Sequence, residues 1–279
     1  MTFNSRFFFA QAFRLLNLQV NQLNMTLRYL SSFLAVIFIF SFSSCTIITG
    51  EGPIVEKGFA KEMFHSVNVD GSFNVEIKQG AQQNVVVLAN ENITEKLKMD
   101  VVDGTLYLSL EPGTYFSYDL DIRLTMMTLN KVELSGSGDI MLGTFVGLSD
   151  VEVVLDGSGD IESDGVLEAS RAEIKLNGSG DVKLKMKAKD VFVGLDGSGD
   201  VKLQGAASSL VVELDGSGDV KAYDLQSLEC EATLDGAGTI KVYASQTLKA
   251  NLQGSGDIRY RGEPKVDASI EGSGTVQGD

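Results

Sequence analysis

The chain has 279 residues, 23 of them basic and 38 acidic, for a net charge of −15, with 30 glycines, 3 prolines, 2 cysteines, 1 histidine and no tryptophan. That acidic balance repels nucleic acid and anionic lipid, so DNA and RNA are excluded as partners. A single histidine leaves no His-based triad or clustered zinc site to draw, and two cysteines give no disulfide framework.

Residues 1–44 read as targeting sequence. From Met25 the run is Met-Thr-Leu-Arg-Tyr, then Leu30 to Phe42 without a charge, then Ser43-Ser44-Cys45. A basic start, an apolar stretch and small residues make a secretory signal. The stretch is too short to span a bilayer, which takes about 20 apolar residues. Met25 alone begins a complete signal and is read as the true start. The placement of Cys45 after Phe-Ser-Ser resembles the lipobox of bacterial lipoproteins, which implies cleavage before Cys45 and lipid on its thiol. The alternatives are a plain secretory signal or an uncleaved anchor. Cleavage removes Arg6, Arg14 and Arg28 and no acid, leaving 20 basic and 38 acidic residues, a charge of −18. Thr46 rather than Asp follows, which by resemblance to lipoprotein sorting favours the outer membrane.

Residues 45–60, with Gly50, Gly52 and Pro53, read as a lipidated tether. Residues 61–130 read as an N-terminal β cap with the first, irregular rungs. Val67 and Val69, Val75 and Ile77, Val85 to Leu88, and Leu106 to Leu108 alternate as short strands, separated by Asn90-Glu91-Asn92 and Asp103-Gly104. A brief helical turn is expected near Thr94–Met99.

Residues 131–279 carry one phrase eight times, read most cleanly at Leu214-Asp215-Gly216-Ser217-Gly218-Asp219-Val220. Its first glycine falls at Gly136, Gly157, Gly178, Gly197, Gly216, Gly236, Gly254 and Gly272, at intervals of 18–21 residues. Such a period means stacked units, each burying its apolar face on its neighbours. The inward positions before the corner run from Val132 and Leu134 to Ala268 and Ile270; after it they run from Ile140 to Val276. The reading is all-β, a right-handed, single-stranded parallel β-helix with about 18–21 residues per rung, since parallel crossovers are overwhelmingly right-handed. A leucine-rich horseshoe needs a Leu-x-x-Leu-x-Leu-x-x-Asn phrase that no repeat supplies.

These tandem Ser/Asp-Gly-Ser-Gly-Asp-Val/Ile rungs, preceded by Phe64…Val67-Asn68-Val69…Gln79-Gly80, resemble the head GIN domain family from Phe64 to Val276. The resemblance implies a β-helix without established catalytic residues, in secreted or lipid-anchored proteins described as auto-transporter adhesins. The chain departs from the family at Thr125-Met126-Met127-Thr128-Leu129, where a proline is expected.

Three constellations carry two readings each. Gly-Ser-Gly suggests a phosphate cradle, but strands rather than a helix follow, and Ala237 replaces the serine in one rung; tight stacked corners explain more. Asp139, Asp160, Asp181, Asp200, Asp219 and Asp257 form a column that either invites calcium or caps turns. Lys183, Lys202, Lys221, Lys241 and Arg259 stand two residues on, facing the same way. Tyr115-Phe116-Ser117-Tyr118 is either an exposed adhesive patch or packing for the cap. Cys230, in step with Ala232 and Leu234, reads as a buried, inert thiol.

The expectation is therefore a non-catalytic, lipid-anchored envelope protein without metal or cofactor. It would be held to the membrane through Cys45, with a protein or glycan partner, and would self-associate through its C-terminal end. A β-helical enzyme, working through paired carboxylates, or a binding module acting on cell-surface or environmental glycans is the alternative.

Overall fold

The computed structural model describes residues 47–279, so Cys45 and the targeting segment lie outside the described residues. The strands discussed here belong to the unit Thr49–Asp279. Among the described residues no helix is long and apolar enough to cross a membrane.

The repeat folds as its period dictates, into parallel rungs paired in register. Val193, Val212, Ala232, Ala250 and Ala268 stack as one column, and Val182, Val201 and Val220 as another. From Val132 to Ile258 these inward side chains are at most 2% exposed, so the interior is a filled core. In the last described rung Ile270 is 47% and Val266 37% exposed, because nothing stacks on them. Between corners the looser half of each rung carries the register shifts, as at Glu162/Val166 and Lys202/Gln204.

The N-terminal end is built out of order. Ser66–Gly71 and Asn74–Gln79 form a rung whose corner is Gly71-Ser72-Phe73-Asn74. On one side it pairs with Lys131–Gly136 and Ile140–Leu142, and on the other with Thr105–Leu110 and Leu120–Met126. The outermost rung in space is therefore formed by residues 105–126, which follow 66–79 in the chain. Two antiparallel edges close this end. Leu97–Val102 pairs with Thr105–Leu110 through a turn in which Asp103 and Gly104 both have positive φ, 49° and 72°. Asn84–Asn90 pairs with Leu120–Met126, and Ile54–Phe59 covers it in turn.

Three expectations shift here. Ile54–Phe59 is a strand inside the stretch read as tether; as an edge with one wet face it shows no clean alternation. The helical turn falls at Glu91–Thr94, and Leu97–Val102 is extended, burying Met99. At the departure from the family pattern, Leu120–Met126 simply ends, with Met126 and Leu129 buried and Met127 turned outward at 45% exposure.

Candidate functional site

Each corner is a hydrogen-bonded column. The carbonyl of the first glycine accepts from the next rung's corner, as Gly197 O does from Ser217 N–H at 3.0 Å and Gly218 N–H at 3.3 Å. In six of the eight corners the first glycine holds a φ that side chains resist, +139° at Gly216. The second has no such φ; a Cβ on Gly218 would overlap the carbonyl oxygen of Gly199 below it. The serine hydroxyl has no part in these backbone bonds, which is why Ala237 fits in the same place.

The acidic column continues this bonding. Oδ1 of five of the six aspartates accepts the backbone N–H of its equivalent one rung on; after Asp219, Thr239 N–H goes to Gly218 O instead. Asp139 accepts from Asp160 at 3.1 Å, Asp160 from Asp181 at 2.9 Å and Asp200 from Asp219 at 3.2 Å. Asp257 takes both N–H and hydroxyl of Thr275, at 3.2 and 2.6 Å. Two members of the basic column pair with it: Lys183 reaches Asp181 at 3.1 Å and Glu162 at 3.0 Å, and Lys221 bridges Asp200 and Asp219. The hydrogen bond to Glu162, then that to Asp181, raises the Lys183 ammonium above its ordinary value. A second ladder on the other face links Lys175 to Glu173 at 2.8 Å and Glu152 at 2.9 Å; bonding to Lys175 holds the Glu152 carboxyl below its usual range.

A shallow groove at the N-terminal end gathers Glu76, Asp121, Arg123, Asp139, Asp160 and Glu162. Its acids are occupied. Asp139 and Asp160 bond the next rung, Glu76 pairs with Lys78, and Asp121 accepts from Asn74 at 3.4 Å. Among the described residues no three His, Cys, Asp or Glu side chains are grouped to hold a metal ion. His65 is a fastener of the cap, its ring nitrogen 3.2 Å from both Ser66 Oγ and Asn130 Nδ2. Cys230 is buried, and burial pushes its thiol up to about 12. That keeps it protonated and inert.

The aromatic cluster divides. Tyr115 and Tyr118 meet edge to face at 5.6 Å, and their hydroxyls donate to Glu111 O at 2.7 Å and Ser72 O at 3.1 Å. Phe116 turns outward, 63% exposed, beside Ser117 at φ 47°. The chain that leads from Cys45 is strapped against this loop: Gly50 N–H donates to Ser117 O at 3.2 Å, and Asn92 holds Thr49 O at 2.7 Å and Glu51 N–H at 2.9 Å. Nothing in the sequence pattern points to this strap; Asn90 and Asn92 read there only as turn formers.

The profile of the family described as "putative auto-transporter adhesin, head GIN domain" matches residues 63–160 and 149–264. The chain belongs to this family. Solved structures bear out the head GIN fold. A "putative lipid binding protein" from Parabacteroides distasonis ATCC 8503 is 27% identical, with a TM-score of 0.77 over 84% of this chain and 100% of its own. A "putative adhesin" from the same organism is 22% identical at TM-score 0.77, with the same coverage. Another, from Parabacteroides merdae ATCC 43184, is 19% identical at TM-score 0.74, covering 84% of this chain and 99% of its own. No curated protein matches this head GIN chain.

Proposed function

We propose that this chain is a non-catalytic, lipid-anchored protein of the cell envelope. It is held in the outer membrane through Cys45 and presents its long solenoid faces to a protein or glycan partner. The observation that carries this reading is the engagement of the charged columns. Asp139, Asp160, Asp181, Asp200 and Asp257 bond the neighbouring rung and Lys183 and Lys221 pair with the column, whereas a catalytic pair would stand apart from the repeat. Membership of an adhesin-like family agrees with an envelope or surface protein.

The test uses the full chain in producing cells fed an alkyne-tagged fatty acid. Label on the chain and recovery in the outer-membrane fraction are expected, both lost in Cys45→Ala; an unlabelled, soluble wild type overturns the anchor. Purified chain incubated with cell-surface polysaccharides is expected to release no new reducing ends. Release of such ends would make it an enzyme.

A further inference from the structure

The exposed Phe116 and the strapped tether lie together at the outermost rung of the N-terminal end. Thr49 is held by Asn92, and only three residues of chain lie between Cys45 and that fixed point, a reach of about 14 Å over the four residue steps when fully extended. Gly50 is bonded to Ser117, the neighbour of Phe116. A lipid on Cys45 therefore brings the bilayer surface within reach of the aromatic loop and keeps it there.

The loop is suited to that surface. Phe116 is 63% exposed, while the tyrosines on either side pack together with their hydroxyls already bonded. Such a loop offers one apolar wedge on a rigid base, and aromatic rings of this kind settle at the boundary between headgroups and acyl chains. Its neighbours include Glu51 and Asp119, while Glu111 is neutralised by Lys96 at 3.1 Å, a balance that favours an uncharged or zwitterionic headgroup over an anionic one.

We propose that Phe116 inserts into the interface of the zwitterionic membrane that holds Cys45. The lipid holds the chain at the surface through one short tether, and a second, apolar contact converts that tether into a fixed stance. The solenoid then stands end-on, with the rungs after residue 200 away from the bilayer. This rests on the lipid-anchor reading above.

The chain has no tryptophan, so Phe116→Trp introduces a unique reporter at an exposed position where the fold is not at stake. Lipidated full-length protein carrying it is reconstituted into phosphatidylcholine vesicles with plain or brominated acyl chains. We expect flotation with the vesicles, a shift of emission to shorter wavelength, and at least twofold quenching by bromine. A Leu228→Trp protein, with its reporter on a distant rung, should float and stay unquenched. Flotation without quenching at position 116 overturns the insertion and leaves the anchor standing. Equal quenching at 228 means the solenoid lies flat and overturns the end-on stance. A protein that does not float at all overturns both the anchor and the insertion.

Discussion

At the residue scale, the two corner glycines are required for different reasons. Gly216 needs its φ of +139° as well as the absence of a Cβ beside Gly197 O, whereas Gly218 needs only the absence of a Cβ beside Gly199 O. Gly218→Ala is therefore expected to cost several kcal/mol, since a rigid backbone atom rather than a side chain must give way. Ser217→Ala should change the melting temperature little. Chemical denaturation of the two variants side by side checks this, and equal stability would refute the stacked-corner account. The aspartates make a second such contrast. Asp200 accepts Asp219 N–H and pairs with Lys221. Asp200→Asn keeps an acceptor and loses only an exposed ion pair, worth about 0–1 kcal/mol. Asp200→Ala leaves the N–H without its acceptor and should cost about 1–3 kcal/mol. With carboxylates bonded to backbone rather than turned toward an ion, EDTA is expected to leave the melting curve unmoved; a large calcium-dependent rise, lost in Asp200→Asn, would show the column binding metal.

At the element scale, the regular rungs were legible because inward and outward residues alternate in step with the glycines, so period and burial agree from Val132 to Ile258. The family was legible from the same phrase. The rung at 66–79 was not recognised as a copy of the repeat. Asp70-Gly71-Ser72-Phe73-Asn74-Val75 is the phrase with Phe for the second glycine and Asn for the aspartate, and its spatial neighbour is 65 residues away at Gly136. The place of the aromatic loop was illegible for a related reason. Residues 111–119 replace a tight corner in a rung whose partners come earlier in the chain, and periodicity cannot report that exchange. Phe73 marks the boundary between the two corner types. It is 3% exposed and lies against the position a Cβ on Gly71 would take. Phe73→Ala should destabilise by about 3 kcal/mol through the cavity it leaves, measurable by urea denaturation; a cost under about 1 kcal/mol would mean the corners can close over the gap.

At the scale of the whole molecule, the two ends differ. One is closed by antiparallel edges; on the other, Lys265–Gly272 lies exposed along its length. If a second copy pairs antiparallel with it about Ala268, Val266 meets Ile270 and Lys265 meets Glu271, while registers shifted by one residue on each strand oppose Asp267 to itself or to Glu271. We therefore expect self-association that Lys265→Glu weakens and that Lys265→Glu with Glu271→Lys restores, followed by light scattering; a monomer at high concentration would count against it. The interleaved N-terminal rungs have a different consequence, in how the molecule comes apart under load. On the C-terminal side each strand pairs only with the rung before it, and a clasp of Arg261 and Asp279 on Tyr223 ties the last rungs back to an earlier one. Once that clasp opens, pulling there should release the chain in steps of about 20 residues, roughly 7 nm of contour each. Residues 66–79, in contrast, are clamped between strands contributed by 105–126 and 131–142. No single rung can leave that end alone. An optical trap holding both termini should record a ladder of small, similar steps and then one larger rip, and the larger rip is the part of the molecule best suited to bear a tether's tension.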